Sequence, residues 1–355
     1  MKDRLEIYAT LGPSCADPEI LRRMFAEGIT GMRLNLSHGS LERSSSLIEA
    51  FHRAENLEGV QISLLIDMQG PELRIGSIAK HKMLTEGEEV LLHDKRLRDM
   101  NDSIPIPQEV IRNYEDGMIL LIDDGRIRLK AEDLIQNGQE TMIKARVLTG
   151  GALLSRKSIA VQDMSITGDT LTEQDLMNLK EAAAYGVTDV MQPFVRGASD
   201  LRTVKNAMRE AGAGNCRLFA KIENRTGVAA LSEILPETDM VVIARGDLGN
   251  AVPLWELPCV QKEISAQCLK HQVPFMVVTQ MLASMENSPV PTRAEVSDIF
   301  NAVADGAAAV MITGESASGK YPVQASSYLV RTAKEGLRWR ERDDHAPSKL
   351  MPRRI

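Results

Sequence analysis

Short apolar runs alternate with longer amphipathic segments along most of the chain. Eight of these runs are rich in β-branched or other apolar residues and have the length of strands. The predicted strands are Leu5–Leu11, Gly31–Asn35, Gln61–Asp67, Asp189–Gln192, Arg217–Glu223, Met240–Ala244, Phe275–Thr279 and Ala308–Thr313. The segments between and after them, which place apolar residues at helical spacing, include Pro18–Glu27, Ser40–Glu55, Glu173–Tyr185, Ala198–Ala211, Pro258–His271, Arg293–Asp305 and Pro322–Trp339. Eight strand–helix units in succession predict an α/β fold, a parallel (β/α)8 TIM barrel.

One connection breaks this rhythm. Residues 76–163 follow the third strand and alternate apolar with polar positions, as in "EGEEVLL", "GMILLIDDGRIRLKAEDL" and "ETMIKARVL". This pattern predicts a small antiparallel β domain, a β-barrel inserted into the larger one. Because it enters at the carboxyl end of a barrel strand, we expect a lid, with Gly76 and residues 165–170 as hinge candidates. The predicted domains are the catalytic barrel (1–75 and 164–342), the inserted lid (76–163) and a C-terminal tail (343–355).

Composition excludes some classes of partner. The 355 residues include 42 Lys and Arg against 49 Asp and Glu, a net charge of −7, and 4% aromatic residues, which argues against a nucleic-acid partner. The four cysteines form no CxxC pair and lie at no zinc-finger spacing from histidine, which favours free thiols in a reducing compartment. No stretch of membrane-spanning length lacks charge, and the amino terminus has no signal-peptide core. We therefore expect a cytoplasmic protein with no membrane partner.

Polar and charged residues, together with Pro13 and Gly246, stand at the carboxyl end of nearly every predicted strand. In parallel barrels, sites are built from residues at those ends. A polar turn explains any one of them, but so many on one face predict a functional site. In chain order they are Pro13, Arg33, Asn35, Ser37, His38, Asp67, Glu72, Arg74, Lys221, Glu223, Arg245, Gly246, Asp247, Thr279, Gln280, Thr313, Glu315 and Ser316.

The stretch "FAKIENRTG" (219–227) carries the most informative charges. Lys221 and Glu223 are two positions apart, so on a strand they share one face. Glu223 and Asp247, at the ends of adjacent strands, could share a divalent cation such as Mg²⁺ and leave coordination positions for water and substrate oxygens. The alternative is a carboxylate paired with Lys221 or Arg245. Lys221 and Arg33 would offset charge on the oxygens of a phosphoryl group in transfer, with ordinary surface cations as the alternative.

Two other stretches leave alternatives open. The glycines of "ARGDLG" let backbone N–H groups approach a bound carboxylate closely, or they simply form a tight strand-to-helix turn. Asn35, Ser37 and Asp67 supply hard oxygens that suit a monovalent or a divalent cation, or they cap loops. His38 alone is more often a hydrogen-bonded turn residue than a base.

The stretch "PTRAEVSD" (291–298) opens one of the predicted helices. Thr292 is its expected N-cap, and Glu295 stands at the matching position of a capping box. This local role accounts for both residues. On the same argument Arg293 and Asp298 need no functional role.

An ordered series of motifs resembles the pyruvate kinase family. The motifs are "ATLGPS", "MRLNLSHG", "DMQGPELR", "IDDGRI", "KIEN", "ARGDLG", "VVTQMLASM", "PTRAEVSD" and "MITGESASGKYP". The resemblance covers the chain apart from the interior of the inserted domain and the tail, and the combination of motifs is highly specific. It implies transfer of the phosphoryl group of phosphoenolpyruvate to ADP, giving pyruvate and ATP.

The resemblance also implies roles for single residues on the phosphoenolpyruvate side. Glu223 and Asp247 look like ligands of Mg²⁺ (or Mn²⁺). Lys221 resembles the lysine that stabilises the phosphoryl group during transfer, and Arg33 and Arg74 resemble its further contacts.

The carboxylate and the enolate have implied partners of their own. Gly246, Asp247 and Thr279 match the cradle that holds the carboxylate. Thr279, with Thr313 and Glu315 acting through water, matches the group that delivers a proton to the enolate.

A potassium ion and the nucleotide complete the implied site. A glutamate such as Glu72 is typical of potassium-dependent members. The implied K⁺ ligands are Asn35, Ser37, Asp67 and the backbone carbonyl of Met68. The implied nucleotide contacts are Pro13, Asn35, His38 and Lys157.

The sequence departs from the family pattern at several points. Met68 stands for a usual threonine, Gln69 for a usual lysine and Thr313 for a serine, and "SIAVQDMS" follows "SRK" where the family has a Gly- and Pro-containing run. The chain ends after the eighth helix, so the resemblance is to a short form without the C-terminal regulatory domain, with a homodimer as the candidate assembly. Two alternatives stay open: a paralogue that uses another phosphoryl acceptor or performs enolate (decarboxylase-type) chemistry, and a non-catalytic metabolite binder.

Overall fold

The computed structural model describes residues 5–37, 39–71, 73–78, 82–95, 103–123, 125–137, 140–162 and 169–342. Its contacts divide the chain into two compact units. The first unit comprises residues 1–70 and 171–355, and the second comprises Pro71–Thr170.

Eight parallel strands of the first unit form a closed barrel, in which each strand pairs with its neighbours in chain order. We number them β1 to β8; they are Glu6–Thr10, Gly31–Asn35, Ser63–Asp67, Asp189–Gln192, Arg217–Ile222, Met240–Ala244, Phe275–Val278 and Ala309–Met311. The predicted (β/α)8 barrel is therefore confirmed. β2, β4 and β6 have their predicted bounds, whereas the other strands are shorter at one or both ends because the apolar runs extend beyond the hydrogen-bonded pairing.

Helices follow the strands along the chain. They are Pro18–Glu27, Ser45–Glu58, Glu173–Glu181, Ala198–Glu210, Arg225–Ala229, Leu231–Ile234, Arg245–Ala251, Leu257–His271, Arg293–Ala304, Gly314–Ala317 and Pro322–Arg340, with short 3-10 turns at Pro13–Cys15, Glu42–Ser44, Leu235–Glu237 and Ala283–Glu286. In the first helix the side chain of Asp17 accepts the N–H of Glu19 at 2.8 Å, and Gly28 ends the helix at a φ of 115°. Within the described ranges, no helix combines the length and apolar character needed to cross a membrane.

The barrel strands are buried on both faces. One apolar cluster fills the barrel interior, and a larger one packs the outer faces of the strands against the helices. Double burial explains why the strands have continuous apolar sequences instead of alternating ones. The interior cluster consists of Tyr8, Leu65, Met191, Phe219, Met240, Val242, Ala244, Met276, Val278, Ala309 and Met311.

A polar network joins the amino-terminal ends of three strands. The guanidinium of Arg217 donates to Glu6 Oε1 at 2.8 Å and to Asp189 Oδ1 at 2.7 Å. The hydroxyl of Tyr8 lies 2.8 Å from Glu6 Oε2 and 3.1 Å from Asp189 Oδ2. Burial, followed by the Asp189 and Glu6 charges, raises the pKa of Tyr8 far above its usual range, so the phenol stays neutral. Networks at this end of a barrel serve stability, because sites lie at the opposite end.

The second unit is rich in β-structure, as predicted. Its strands are Lys82–Leu84, Glu89–Asp94, Ser103–Ile106, Ile119–Ile122, Ile127–Asn137, Glu140–Thr149, Gly151–Leu153 and Ile159–Val161, and its helix is Gln108–Arg112. In the described part of the unit they form a six-stranded and a two-stranded sheet. The prediction of a purely antiparallel domain is wrong for one pair: Glu89–Asp94 and Ser103–Ile106 are parallel, which requires a longer connection than a hairpin turn.

Candidate active site

The carboxyl ends of the barrel strands place four charged side chains together. Phe219 and Leu65 point into the barrel, and by strand alternation so do Lys221 and Asp67, two positions further on. The ammonium of Lys221 lies 3.0 Å from Glu223 Oε1 and 3.2 Å from Asp67 Oδ2. The Lys221 side chain is 14% exposed, so it does not face bulk solvent. Burial alone would lower the pKa of Lys221, but the Asp67 and Glu223 charges raise it, and the amine stays protonated.

Asp67 is bound by two cations. Arg33 on β2 donates to Asp67 Oδ2 through Nε at 2.9 Å and through Nη2 at 2.6 Å. Burial would raise the pKa of Asp67, but the Lys221 and Arg33 charges lower it below its usual value. The carboxylate therefore stays ionised and fixes the positions of both cations.

Glu223 has one oxygen satisfied and one not. Oε2 accepts the backbone N–H of Phe194 at 2.8 Å, and Phe194 itself has a φ of 52°. Oε1 pairs with the Lys221 ammonium but has no hydrogen bond of acceptable geometry, although it is fully buried. Burial raises the pKa of Glu223, and the Asp247 and Asp67 charges raise it further against the opposing effect of Lys221. A second cation beside Oε1 would give this oxygen a further partner and would offset the repulsion between the neighbouring carboxylates.

The residues present fit a divalent cation. Asp247 is half-buried in Arg245–Ala251, the helix that begins directly after β6, and its charge affects the pKa values of both Glu223 and Lys221. No group of three or more His, Cys, Asp and Glu side chains in the described ranges could hold a metal by itself. Mg²⁺ is commonly held by one or two carboxylates, with water and substrate oxygens filling the remaining positions. Glu223 and Asp247 supply such a pair.

Thr279 and Gly246 approach each other closely. A Cβ placed on Gly246 would lie 3.0 Å from Cγ2 of Thr279, a tight contact, so the glycine leaves room for the threonine side chain. Thr279 has a φ of 79°, in the left-handed region that β-branched residues rarely adopt. The carbonyl of Thr279 accepts from Nη2 of Arg245 at 2.7 Å and from Nε at 3.2 Å. Arg245 also donates through Nη1 to both oxygens of Asp298, at 2.9 and 2.7 Å.

The carboxylate of Glu315 is occupied by backbone donors. Oε1 accepts the N–H of Leu282 at 2.9 Å, and Oε2 accepts the N–H of Thr313 at 2.7 Å. The residue is 1% exposed. Glu315 thus ties the loop after β7 to the turn after β8, and Thr313 lies half-buried in that turn.

The predicted potassium ligands have partners of their own. Asn35 Oδ1 accepts from the Ser37 N–H at 3.1 Å and from its hydroxyl at 2.8 Å, which is the loop-cap alternative. Asp67 is held by Arg33 and Lys221, as described above. The side chain of Met68 is buried in the apolar core, so only its backbone could face an ion.

Comparison with known proteins decides the family. A model of the pyruvate kinase barrel domain matches residues 2–326. The chain belongs to the pyruvate kinase family. It is similar to the pyruvate kinases of Aeropyrum pernix (36% identity over 332 residues) and Methylorubrum extorquens (35% over 334 residues). It is also similar to the pyruvate kinase of Bacillus licheniformis (33% over 324 residues).

The chain corresponds to part of each of these pyruvate kinases. The alignments cover 93%, 94% and 91% of this chain. They cover 70%, 68% and 55% of the three relatives, in the same order. The chain thus spans between about half and about two thirds of the length of its curated pyruvate kinase relatives.

The remaining residues that the pyruvate kinase resemblance implies are described within their own units. Pro13 is exposed in the turn Pro13–Cys15. In the second unit, Arg74 Nη1 donates to the carbonyl of Arg156 at 3.0 Å, and Lys157 pairs with Asp123 at 2.7 Å. His38 and Glu72 lie outside the described residues.

Sequence reasoning did not identify the contacts that support the backbone and carboxylates of this candidate site. The capping-box argument gives Asp298 no role, and the structure pairs its carboxylate with Arg245 at 2.7 Å. Phe194, whose backbone holds Glu223, was not singled out at all. Arg245 itself was among the predicted strand-end residues, but its contact with the Thr279 carbonyl was not predicted.

Proposed function

We propose that this chain transfers the phosphoryl group of phosphoenolpyruvate to ADP, giving pyruvate and ATP. The observation that carries the proposal is the cluster at the ends of β2, β3 and β5, where a buried ammonium lies 3.0 and 3.2 Å from two buried carboxylates. Phosphoryl transfer needs positioning and charge neutralisation more than covalent catalysis, and this cluster offers both.

The proposed chemistry divides the charged residues by task. Lys221 and Arg33 neutralise the oxygens of the phosphoryl group while its bond to the enol oxygen breaks and its bond to the terminal phosphate of ADP forms. Asp67 keeps both cations in place. Glu223 and Asp247 would hold Mg²⁺ (or Mn²⁺), which when bound would supply further positive charge to the oxygens of the substrate. Arg74 is the further phosphoryl contact that we propose.

Proton delivery completes the reaction. The enolate that remains takes a proton at carbon, which makes pyruvate and renders the transfer strongly favourable. We assign this donation to the hydroxyl of Thr279, with Thr313 and Glu315 acting through water. Gly246, Asp247 and Thr279 form the cradle for the carboxylate, because the glycine leaves room there.

Further parts of the proposal rest on the family resemblance. K⁺ binds at Asn35, Ser37, Asp67 and the Met68 carbonyl, with a rearrangement of the loop caps described above. The nucleotide contacts Pro13, Asn35, His38 and Lys157. The four cysteines are free thiols, which suits a protein of the reducing cytoplasm. The inserted unit acts as a lid, and the active assembly is a homodimer.

A second candidate is favoured by Gln69. Its side-chain oxygen accepts from the Thr172 hydroxyl at 3.3 Å, and its backbone N–H donates to Asp175 at 2.8 Å. Gln69 therefore contacts the start of the helix Glu173–Glu181. The family's usual lysine, a cation on the nucleotide side, is thus missing. A paralogue with the same enolpyruvate site but another phosphoryl acceptor, or one that decarboxylates oxaloacetate, fits this observation.

One experiment separates these candidates. Phosphoenolpyruvate labelled in its phosphoryl group is incubated with Mg²⁺, K⁺ and a panel of acceptors that includes ADP, and labelled products are identified. We expect labelled ATP, with saturation by ADP. Label on another acceptor, or turnover of oxaloacetate alone, would favour the paralogue, and binding of phosphoenolpyruvate without turnover would identify a binder.

A further inference from the structure

Arg245 uses all three guanidinium nitrogens in one arrangement. Nε and Nη2 converge on the carbonyl of Thr279, and Nη1 donates to both oxygens of Asp298. The Arg245 side chain is 11% exposed and that of Asp298 is 35% exposed, so the pair is shielded from solvent mainly on the arginine side. A planar guanidinium fixed at both edges by charge-assisted bonds has little rotational freedom left.

The group that it fixes is strained. Thr279 and Gln280 have φ values of 79° and 56°, and both are non-glycine residues. Left-handed conformations in such residues are unfavourable and persist only where surrounding contacts enforce them. The two hydrogen bonds from Arg245 to the Thr279 carbonyl are contacts of that kind.

Arg245 also starts the helix that carries Gly246 and Asp247. The side chain of Thr279 packs over Gly246. Arg245 therefore contacts the segment that carries Thr279 and is also the first residue of the helix that carries Gly246. Asp298 lies on the separate helix Arg293–Ala304 and supplies the outer anchor. Three elements that follow β6 and β7 are thereby fixed relative to one another.

We infer that Arg245 and Asp298 are a positioning pair that holds Thr279 in its strained conformation over Gly246, and so aligns the carboxylate and enolate end of phosphoenolpyruvate. This inference rests on the proposed function, because it concerns the substrate of that site. Neither residue touches the reacting atoms; both act through the Thr279 backbone. The pair is specific to the three-carbon substrate and does not serve the nucleotide.

The test compares Arg245→Met, Asp298→Asn and the double variant in steady-state kinetics. We expect kcat to fall by about 10²-fold in each, the size of effect that a misplacement of ~1 Å produces. KM for phosphoenolpyruvate rises, whereas KM for ADP is unchanged. The kcat of the double variant is no lower than that of the less active single variant, because both substitutions break the same ion pair. Asp298→Glu, which keeps the charge, restores part of the activity.

Arg217→Met is the matched control. It removes an arginine that binds two carboxylates at the opposite end of the barrel, so it lowers stability without changing kcat or either KM. Wild-type kinetics in Arg245→Met, or equal changes in both KM values, would overturn the inference.

The failure of the proposed function is recognised separately. If the wild type makes no ATP, calorimetric titration with phosphoenolpyruvate decides: weaker binding by Arg245→Met still supports the positioning pair. Equal affinity of wild type and variant overturns it, as does the absence of any binding by the wild type.

Discussion

Replacement of Lys221 by methionine isolates the contribution of the buried ammonium. The side chain lengths are similar, so the change removes charge with little change in volume. In the native protein the ammonium contacts Asp67 and Glu223 and is largely shielded from water. Charges in such a shielded site interact more strongly than charges at the protein surface. We expect kcat to fall by about 10²–10³-fold, equivalent to ~2.7–4 kcal/mol of transition-state stabilisation, as for loss of one preorganised donor.

The same substitution affects stability for a separate reason. Breaking a buried ion cluster by removing one partner costs about 3–5 kcal/mol. Arg33 still holds Asp67 in the variant, and Glu223, whose pKa is already raised by burial, takes up a proton. We therefore expect the free energy of unfolding to fall by about 3 kcal/mol, the lower end of that range.

The assay couples pyruvate formation to lactate dehydrogenase at saturating phosphoenolpyruvate and ADP, with urea unfolding in parallel. Lys262→Met is the control, because Lys262 pairs with Asp305 between outer helices and is 59% exposed. That variant should keep wild-type kcat and lose less than about 1 kcal/mol. The reasoning is refuted if Lys221→Met retains more than about a tenth of the wild-type kcat. A fall of less than about tenfold is smaller than the loss of one preorganised donor should produce.

Three further predictions address single groups. Glu295→Gln should lower the free energy of unfolding by about 1 kcal/mol at pH 7. Against the effect of burial, hydrogen bonds from the hydroxyl and N–H of Ser284, and then from Thr292, lower the pKa of Glu295, so in urea titrations the deficit should persist above pH 4.5 and shrink as the pH falls below it. Tyr8→Phe should cost about 0.5–1.5 kcal/mol by thermal unfolding, the size of one lost hydrogen bond, because Arg217 still donates to both Glu6 and Asp189, and it should keep kcat unchanged. In native protein treated with iodoacetamide and analysed by mass spectrometry, the exposed Cys259 should react first. Burial raises the pKa of Cys15 to about 11 and that of Cys268 to about 12, so these two thiols are less reactive. Early modification of the two buried thiols would contradict this prediction.

The barrel could be predicted because its strands are buried on both faces. Runs such as Met240–Ala244 are continuously apolar, and their spacing repeats eight times along the chain. The rule that sites lie at the carboxyl ends of such strands then selected Lys221, Glu223 and Asp67 without coordinates. Strand alternation predicted the shared face of Lys221 and Glu223, and the structure pairs them at 3.0 Å.

The supports behind the site could not be predicted in the same way. Arg245 and Asp298 are far apart in sequence and meet only because two consecutive strand–helix units are neighbours. The positive φ values of Phe194 and Thr279 leave no trace in residue type, since neither is glycine. Glycine or asparagine marks such positions when strain is avoided; here tertiary contacts enforce the strain instead.

The inserted unit illustrates a different limit. Alternating apolar and polar positions identify its strands, but alternation does not fix which strands pair or in which direction. The parallel pair of Glu89–Asp94 and Ser103–Ile106 is therefore a result of topology rather than of local pattern.

A crystal structure with Mn²⁺ and phosphoenolpyruvate, phased so that anomalous scattering locates the metal, tests the central claim most directly. The account predicts one Mn²⁺ bound by Glu223 and Asp247, with phosphoryl oxygens of the substrate within hydrogen-bonding distance of the Lys221 ammonium. Manganese at any other position, or a substrate phosphoryl group out of reach of Lys221, would contradict it.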